Sequence, residues 1–523
     1  MQKKGFIGKG IVISIILLFI GMSIAPTITG TYALSKIKYI KKNVTGENNV
    51  ALDIAVVNSE GVTVLIGDGT GGFGSRQDYV RGRGRSEIVA DDFDKDGDLD
   101  LAMTNTWNDN ITILHGDGLG NFNTRQDYWV GIQPSGIICG DFNEDSYIDL
   151  AVSNADERDT VSILINDGVG GFNNHSKYFI GYYPSSIASG DFNSDDNLDL
   201  VVTNFPANIV SVLFGDGNGG FSSLNSFDAG EKPYDCVTAD FNGDNFTDLA
   251  VTDFNENVIS VLIGNGIGGF GPRQIYSTGS GPSRIVSDYF NSDNYLDLAV
   301  TIDNDHMFSV FLGDGEGGFT HYQDFGTGTE PDGITAAYFN DDTIIDLAIA
   351  NFGDDNILIY FGTGAGGFTT HNYYAVGEKP YSIVVGDFNS HESDLSCEGE
   401  LSWTQVSPDS TVEGSFTVSN VGGTKSELNW EITEWPSWGT WTFNPENGED
   451  LTPDNSPITI EVSIIAPDEQ NQEYEGELKI VNNDDSSDFC IIDVSLTTPR
   501  NKPILGLFES RFPWLFNFLW RET

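Results

Sequence analysis

The 523-residue chain carries 25 basic and 78 acidic residues, a formal net charge of -53. Nothing in that balance supplies a basic footprint for a phosphate backbone, so nucleic-acid binding is set aside. The length exceeds one ordinary core, so two or more folded units are expected.

Residues 1–33 open with Lys3, Lys4 and Lys9, continue with the apolar run Ile11 to Met22, and reach small residues at Ala25 and Ala33. That is the layout of a secretory signal, so a secreted or cell-surface location is expected. Pro26 disfavours cleavage after Ala25, whereas Thr31-Tyr32-Ala33 offers a small-residue site; an uncleaved membrane anchor is the competing reading. Residues 34–47, with Lys36, Lys38, Lys41 and Lys42, read as a linker. Asn43, Asn110, Asn174 and Asn245 match the glycosylation sequon, which matters only in a host that glycosylates.

From residue 48 to 395 one segment recurs, marked by a Gly-x-Gly-x-Phe turn at Phe73, Phe122, Phe172, Phe221, Phe270, Phe319 and Phe368. A fixed period of this length makes each copy one supersecondary unit, completed by stacking on its neighbours. In the copy from Ser186 to Tyr234, four short β-rich runs alternate with turn residues, which predicts one antiparallel four-stranded blade. No helical period is sustained, which argues against a helical solenoid. Seven blades predict a β-propeller. The array enters at Asp53-Ile-Ala-Val-Val57, equivalent to a second strand, and ends after Tyr381 to Phe388, equivalent to a first. The two partial copies make one blade, so the ring is expected to close by pairing its N- and C-terminal strands, which removes exposed edges.

Between successive turns lies an acidic loop with oxygen-bearing side chains at alternate positions. Positions 1, 3, 5 and 9 are Asp92, Asp94, Asp96 and Asp100; Asp141, Asn143, Asp145 and Asp149; Asp191, Asn193, Asp195 and Asp199; and Asp240, Asn242, Asp244 and Asp248. Position 7 is Asp98, Tyr147, Asn197 and Phe246, an indifference to side chain that a backbone-carbonyl ligand predicts. Calcium takes six to eight oxygens from such donors, whereas magnesium keeps several waters, so the expected ion is Ca2+. The plainer reading is that Asp and Asn only shape tight turns; four carboxylate-rich loops at one spacing would then crowd like charges without a cation. Tyr289 and Tyr338 replace the first aspartate in two later loops, leaving Asn291, Asp293 and Asp297 and Asn340, Asp342 and Asp346. A neutral phenol is a poor ligand, so these sites are expected to be weaker or empty, unless Asp288 or Asp341 compensates. At the seam Asp387, Asn389 and Asp53 meet only on ring closure, with His391 in place of an aspartate.

The recurring turn phenylalanine, acidic loop and strand order resemble the FG-GAP and VCBS repeat family, propellers of integrin alpha heads and of many bacterial and archaeal surface proteins. The resemblance covers roughly residues 48–395. It implies calcium in the loop joining the first and second strands of each blade, and partner binding on the opposite face.

No catalytic constellation emerges. The six histidines are His115, His175, His306, His321, His371 and His391; His175, His321 and His371 follow turn phenylalanines in different blades, point radially apart, and read as surface residues. No Ser-His-Asp order, zinc-ligand spacing or phosphate loop is found. Loops joining second to third strands, and fourth strands to the next blade, carry Trp107, Trp129, Tyr182, Tyr183, Phe205, Tyr234, Phe254, Phe352 and Tyr381 with Arg81, Arg83, Arg85 and Lys379. Exposed aromatics and arginines anchor protein or sugar recognition, while packing between blades is the alternative role.

Cys139 and Cys236 occupy different strand positions in non-adjacent repeats and read as buried thiols, while Cys397 and Cys490 lie near the two ends of the C-terminal unit, where a bridge would staple its first and last strands. Residues 396–498 contain short β-rich runs separated by Gly, Pro, Asn and Asp, predicting a β-sandwich. Leu428-Asn-Trp430, Trp435-Pro-Ser-Trp438 and Phe443 to Gly448 resemble BACON-type immunoglobulin-like modules of surface proteins. That resemblance implies an Ig-like fold and carbohydrate contact. Residues 499–523, with Leu505, Phe508, Phe512, Leu515, Phe516 and Leu519, are too short and interrupted to span a bilayer and read as an interfacial amphipathic segment, a sorting signal or a docking helix, so membrane association would be through this tail or the N-terminal segment.

The combined expectation is an all-β chain: a seven-bladed β-propeller followed by an Ig-like β-sandwich, monomeric, binding calcium and an extracellular protein or glycan. The alternatives are a polysaccharide-active enzyme or its accessory domain, and a passive envelope spacer.

Overall fold

The computed structural model describes residues 51–499 apart from 81–83, 156–159, 173, 182, 341, 391–392, 394, 424 and 484–487. The signal-like segment, the linker and the tail from residue 500, together with Arg81, Arg83, Tyr182, Asp341 and His391, lie outside the described residues. The described residues are all-β, with a short 3-10 turn at Pro453–Asn455. None of their helices is long and apolar enough to cross a membrane.

Residues 53–386 form seven four-stranded antiparallel sheets. In one of them the order is Pro184–Gly190, Asp199–Asn204, Ile209–Gly215 and Phe221–Asp228. The first strand of each sheet touches that of the next in a closed cycle, which sets the first strands around the axis. Burial follows this order. Second strands such as Asp199–Asn204 are buried throughout because sheets stack on both of their faces, whereas the fourth strand Thr124–Trp129 is almost wholly exposed.

The expected closure is present. Asp53–Val57 pairs antiparallel with Ser382–Gly386, from the Asp53↔Gly386 pair to Val57↔Ser382, so the seam sheet is built from both ends of the array. Pairing the two ends spares the array the open terminal edges that an unclosed ring would present.

The turn phenylalanines explain the period. Each ring meets, edge to face, the phenylalanine at position 2 of the acidic loop in the preceding blade: Phe172 on Phe93 at 5.9 Å between centroids, Phe221 on Phe142 at 5.9 Å, and Phe319 on Phe241 at 5.4 Å. Phe270 on Phe192 and Phe368 on Phe290 repeat the contact, and Phe122 on Phe388 and Phe73 on Phe339 carry it across the seam blade. Such pairs add about 0.5–1.5 kcal/mol beyond burial of the rings. The glycine turns also donate across the same joint, as Gly219 N–H does to the Phe142 carbonyl at 2.9 Å.

Beyond the ring, Leu395–Glu398, Thr411–Asn420, Ile458–Ile465 and Thr440–Asn444 form one sheet. Leu401–Trp403, Phe489–Thr497, Glu473–Asn482, Leu428–Glu434 and Asn447–Leu451 form another. Phe416, Val418 and Val462 of the former share a core with Trp430, Ile480 and Ile492 of the latter, making a β-sandwich. Trp430 is fully buried and serves that core, while Trp435 is exposed. A disulfide joins Cys397 to Cys490 across the two sheets, with Cα atoms 6.0 Å apart. Cys139 and Cys236 are buried free thiols.

Candidate functional site

Strand order puts the acidic loops and the glycine turns at one end of the ring, and the other two loop classes at the opposite end.

At the acidic end, position 9 has a role in every sheet that sequence reading assigned only to metal. The Asp149 carboxylate is fully buried and accepts the N–H of Phe142 at 3.1 Å with one oxygen and that of Asn166 at 2.8 Å with the other. Asp100, Asp199, Asp248, Asp297 and Asp346 repeat the bracket, each tying its loop to the residue that follows the third strand or closes it. Asp53 completes the set at the seam. Position 9 is therefore a structural clamp first, with only its remaining lone pairs left for a cation. Burial, followed at a distance by the like charges of Asp145 and Asp141, pushes Asp149 up to about 7 against these two donors.

Positions 1, 3 and 5 do form side-chain to backbone turns. Asp141 accepts from the Asp145 and Ser146 N–H groups, and Asp145 from that of Tyr147. The loops at 191–199 and 240–248 repeat these bonds. The backbone bends inward to achieve this. Positions 4 and 6 are left-handed in all four intact loops: Lys95 and Gly97, Glu144 and Ser146, Ser194 and Asp196, Gly243 and Asn245. Lysine, glutamate and serine adopt that conformation only at a cost. The Tyr289 loop keeps it at Asn294 but not at Ser292, whose hydroxyl donates to the Gly364 carbonyl of the next blade. Asp288 accepts the Tyr289 N–H, and burial holds Tyr338 neutral by pushing it up to about 12.

The carboxylates of the first loop are gathered as a divalent cation would require. One carboxylate oxygen from each of Asp92, Asp94 and Asp96 lies within 4.8 Å of the others. Asp92 Oδ1 is buried without a hydrogen-bond partner, and burial together with the charges of Asp100 and Asp96 pushes Asp92 up to about 6. Carboxylates gathered this way repel one another until a cation joins them.

The opposite end holds a different arrangement. Residues at the entry of the first strands face one another across the axis, and there Arg284 gathers three carboxylates from three other blades. Its guanidinium bonds Glu87, stands 3.6 Å from Asp235 and 3.3 Å from Asp332. These four side chains are at most 13% exposed. Arg85 pairs with the second Asp332 oxygen, yet 51% of its side chain remains open. Its guanidinium lies 5.2 Å from the centroid of Tyr234 and 5.9 Å from that of Tyr381. Both tyrosines end a Gly-Glu-Lys-Pro-Tyr segment, at 230–234 and 377–381. In each, the lysine lies over a phenylalanine, Lys232 over Phe205 and Lys379 over Phe352. Of the aromatics singled out from sequence, Phe205, Tyr234 and Phe254 thus form one cluster and Phe352 and Tyr381 another. Trp107, Trp129 and Tyr183 stand exposed, 52% or more.

His175 and His321 are exposed, as expected, as is His306, and they do not converge; the His371 side chain lies outside the described residues. His115 is different: it is buried against the first acidic loop, with Nδ1 3.2 Å from Asp100 and 3.4 Å from Asp94. The signal was present in the repeat itself, since the other six copies place Ile66, Ile165, Phe214, Ile263, Leu312 and Phe361 at this position.

A family description, FG-GAP-like repeat, matches residues 92–152, 141–202 and 191–251. No curated protein matches the sequence. Among solved structures, the chain is similar to a functionally unknown protein from Desulfotomaculum acetoxidans, at 13% identity and a TM-score of 0.50, over 64% of this chain and 98% of that one. It is equally similar to the periplasmic gluconolactonase of Pseudomonas aeruginosa, at 15% identity and TM-score 0.50, over 64% and 98%. At that identity the likeness concerns fold alone. Residues 92–251 carry FG-GAP-like repeats, set within a β-propeller.

Proposed function

We propose that this chain is an exported, surface-associated propeller that holds Ca2+ in its acidic loops and recognises an extracellular protein or glycan with the opposite face. The carrying observation is the half-exposed Arg85 side chain, whose guanidinium lies between Tyr234 and Tyr381 and is fixed from below by Asp332. An arginine locked between aromatic rings is a rigid anchor that loses little entropy when a ligand arrives. Calcium would be held by Asp141, Asn143 and Asp145 and their counterparts at 191–195 and 240–244, with carbonyls at Tyr147, Asn197 and Phe246. Its charge would neutralise the gathered carboxylates and brace each hairpin.

Pull-down of envelope proteins and a glycan array, both with the calcium-loaded chain and with Arg85→Ala, test the reading. A ligand retained by the parent and lost by the variant supports it; binding that ignores Arg85, or no ligand at all, overturns it and favours a passive spacer. The similarity to a gluconolactonase makes an enzyme the competing reading. Opening of lactones, or release of new reducing or unsaturated ends from polysaccharides, by the same preparation would favour that instead.

A further inference from the structure

We propose that the first acidic loop is a transition-metal site, chemically distinct from the other acidic loops, built from His115 with Asp92, Asp94, Asp96 and Asp100. This rests on the reading that the acidic loops hold cations, and it names a different class of cation for one of them.

The residue just before the clamped turn residue at the end of each third strand is large and apolar in six copies, where it packs on the turn of the next blade: Gly219 lies against Ile165, Gly268 against Phe214, and Gly317 against Ile263. In the remaining copy the residue is His115, and Gly170 closes over both it and Asp94. Gln126 faces the Nε2 of this imidazole at 3.3 Å, so Nδ1 is turned onto the carboxylates, the orientation a metal ligand needs. This loop also differs in its own donors. It has aspartate at position 3, where the other intact loops have Asn143, Asn193 and Asn242.

The geometry agrees. Donor atoms of His115, Asp94 and Asp100 all lie within 4.8 Å of one another, with the nitrogen 3.4 and 3.2 Å from the two oxygens. A tetrahedral ion with bonds of about 2.0–2.2 Å holds neighbouring donors about 3.3–3.6 Å apart. Asp92 adds a buried oxygen without a hydrogen-bond partner. Asp98 is taken by the Lys425 ammonium at 2.7 Å, which leaves the mixed nitrogen and oxygen set to the ion. Calcium takes oxygen ligands, whereas imidazole with carboxylates suits zinc-class divalent metals.

The test uses cobalt(II) as the probe, because its visible absorption reports nitrogen and oxygen ligation at low coordination number. Cobalt is titrated into the calcium-saturated full chain, into His115→Ile and into Asp94→Asn, with bound calcium measured in parallel. Both substitutions install what this chain already carries at the same place in other repeats, so folding should survive. The expected result is one equivalent of cobalt with visible bands in the parent, loss of the bands in His115→Ile, and at least tenfold weaker binding in Asp94→Asn, with calcium in the other loops unchanged. Absence of the bands in the parent, or equal bands in His115→Ile, overturns the proposal. A parent that takes up no calcium overturns the underlying reading instead, whatever cobalt does.

Discussion

The Asp53 carboxylate accepts the backbone N–H of Phe388 at 2.8 Å, across 335 residues of sequence. Its other oxygen accepts the Gly67 N–H at 2.8 Å. Within the continuous blades, the same clamp joins residues close in sequence. At the seam it fastens the first strand of the ring to the last, so one buried side chain holds the closure together with the strand pairing.

Asp53→Ala therefore leaves two buried N–H groups without acceptors, at roughly 1–3 kcal/mol each. We expect a loss of about 2–6 kcal/mol in urea unfolding and increased protease cleavage near both ends of the array. Unchanged stability would show that strand pairing alone closes the ring.

Removing calcium should lower the melting temperature, since an ion at a hundred times its dissociation constant stabilises the folded state by about 2.7 kcal/mol per site. Calorimetry with and without a chelator checks the shift. The loops should rank: Asp141→Ala, Asp191→Ala and Asp240→Ala each remove one calcium, whereas Asp293→Ala and Asp342→Ala leave the count unchanged.

Arg284 and Arg85 should separate stability from recognition. Arg284→Ala strands Glu87, Asp235 and Asp332 without their common counter-charge, and removing one partner of a buried ion group costs about 3–5 kcal/mol. Arg85→Ala removes a pair whose arginine is half exposed and leaves the buried Asp332 still paired with Arg284, so the loss should be smaller, about 1 kcal/mol. Thermal melts and ligand binding on both variants should therefore fall into opposite patterns.

Asp253 predicts a pH dependence. Burial pushes this carboxyl up to about 8, although Ser260 and Arg273 stabilise its charge. The folded chain thus holds a proton that the unfolded chain releases near pH 3.8. Stability from this group falls as pH rises between those values, by at most about 1.4 kcal/mol per unit. Asp253→Asn should flatten the curve; identical slopes in chemical unfolding at pH 5, 6 and 7 would refute the assignment.

Much of the fold was legible because a repeat states its rule seven times. The phenylalanine of each turn, the apolar second strand and the matched partial copies at Asp53 and Tyr381 each point to stacked blades and a closed ring. The acidic loops were legible as a pattern but not as a division of labour. Spacing alone could not distinguish Asp149, whose oxygens are clamped by Phe142 and Asn166, from Asp145, which shapes the loop around position 1. Arg284 and Glu87 lie 197 residues apart, and no local pattern pairs them.

Local chemistry and periodicity are properties of the chain itself, so the sequence alone determined the β-blades, their count, the loop positions rich in oxygen donors and the change of composition after the array. Which groups meet across the ring depends on its curvature and closure, so only the tertiary structure decided that Arg85 stands between Tyr234 and Tyr381, that Lys425 of the sandwich reaches Asp98, and that His115 turns inward onto a loop built of carboxylates.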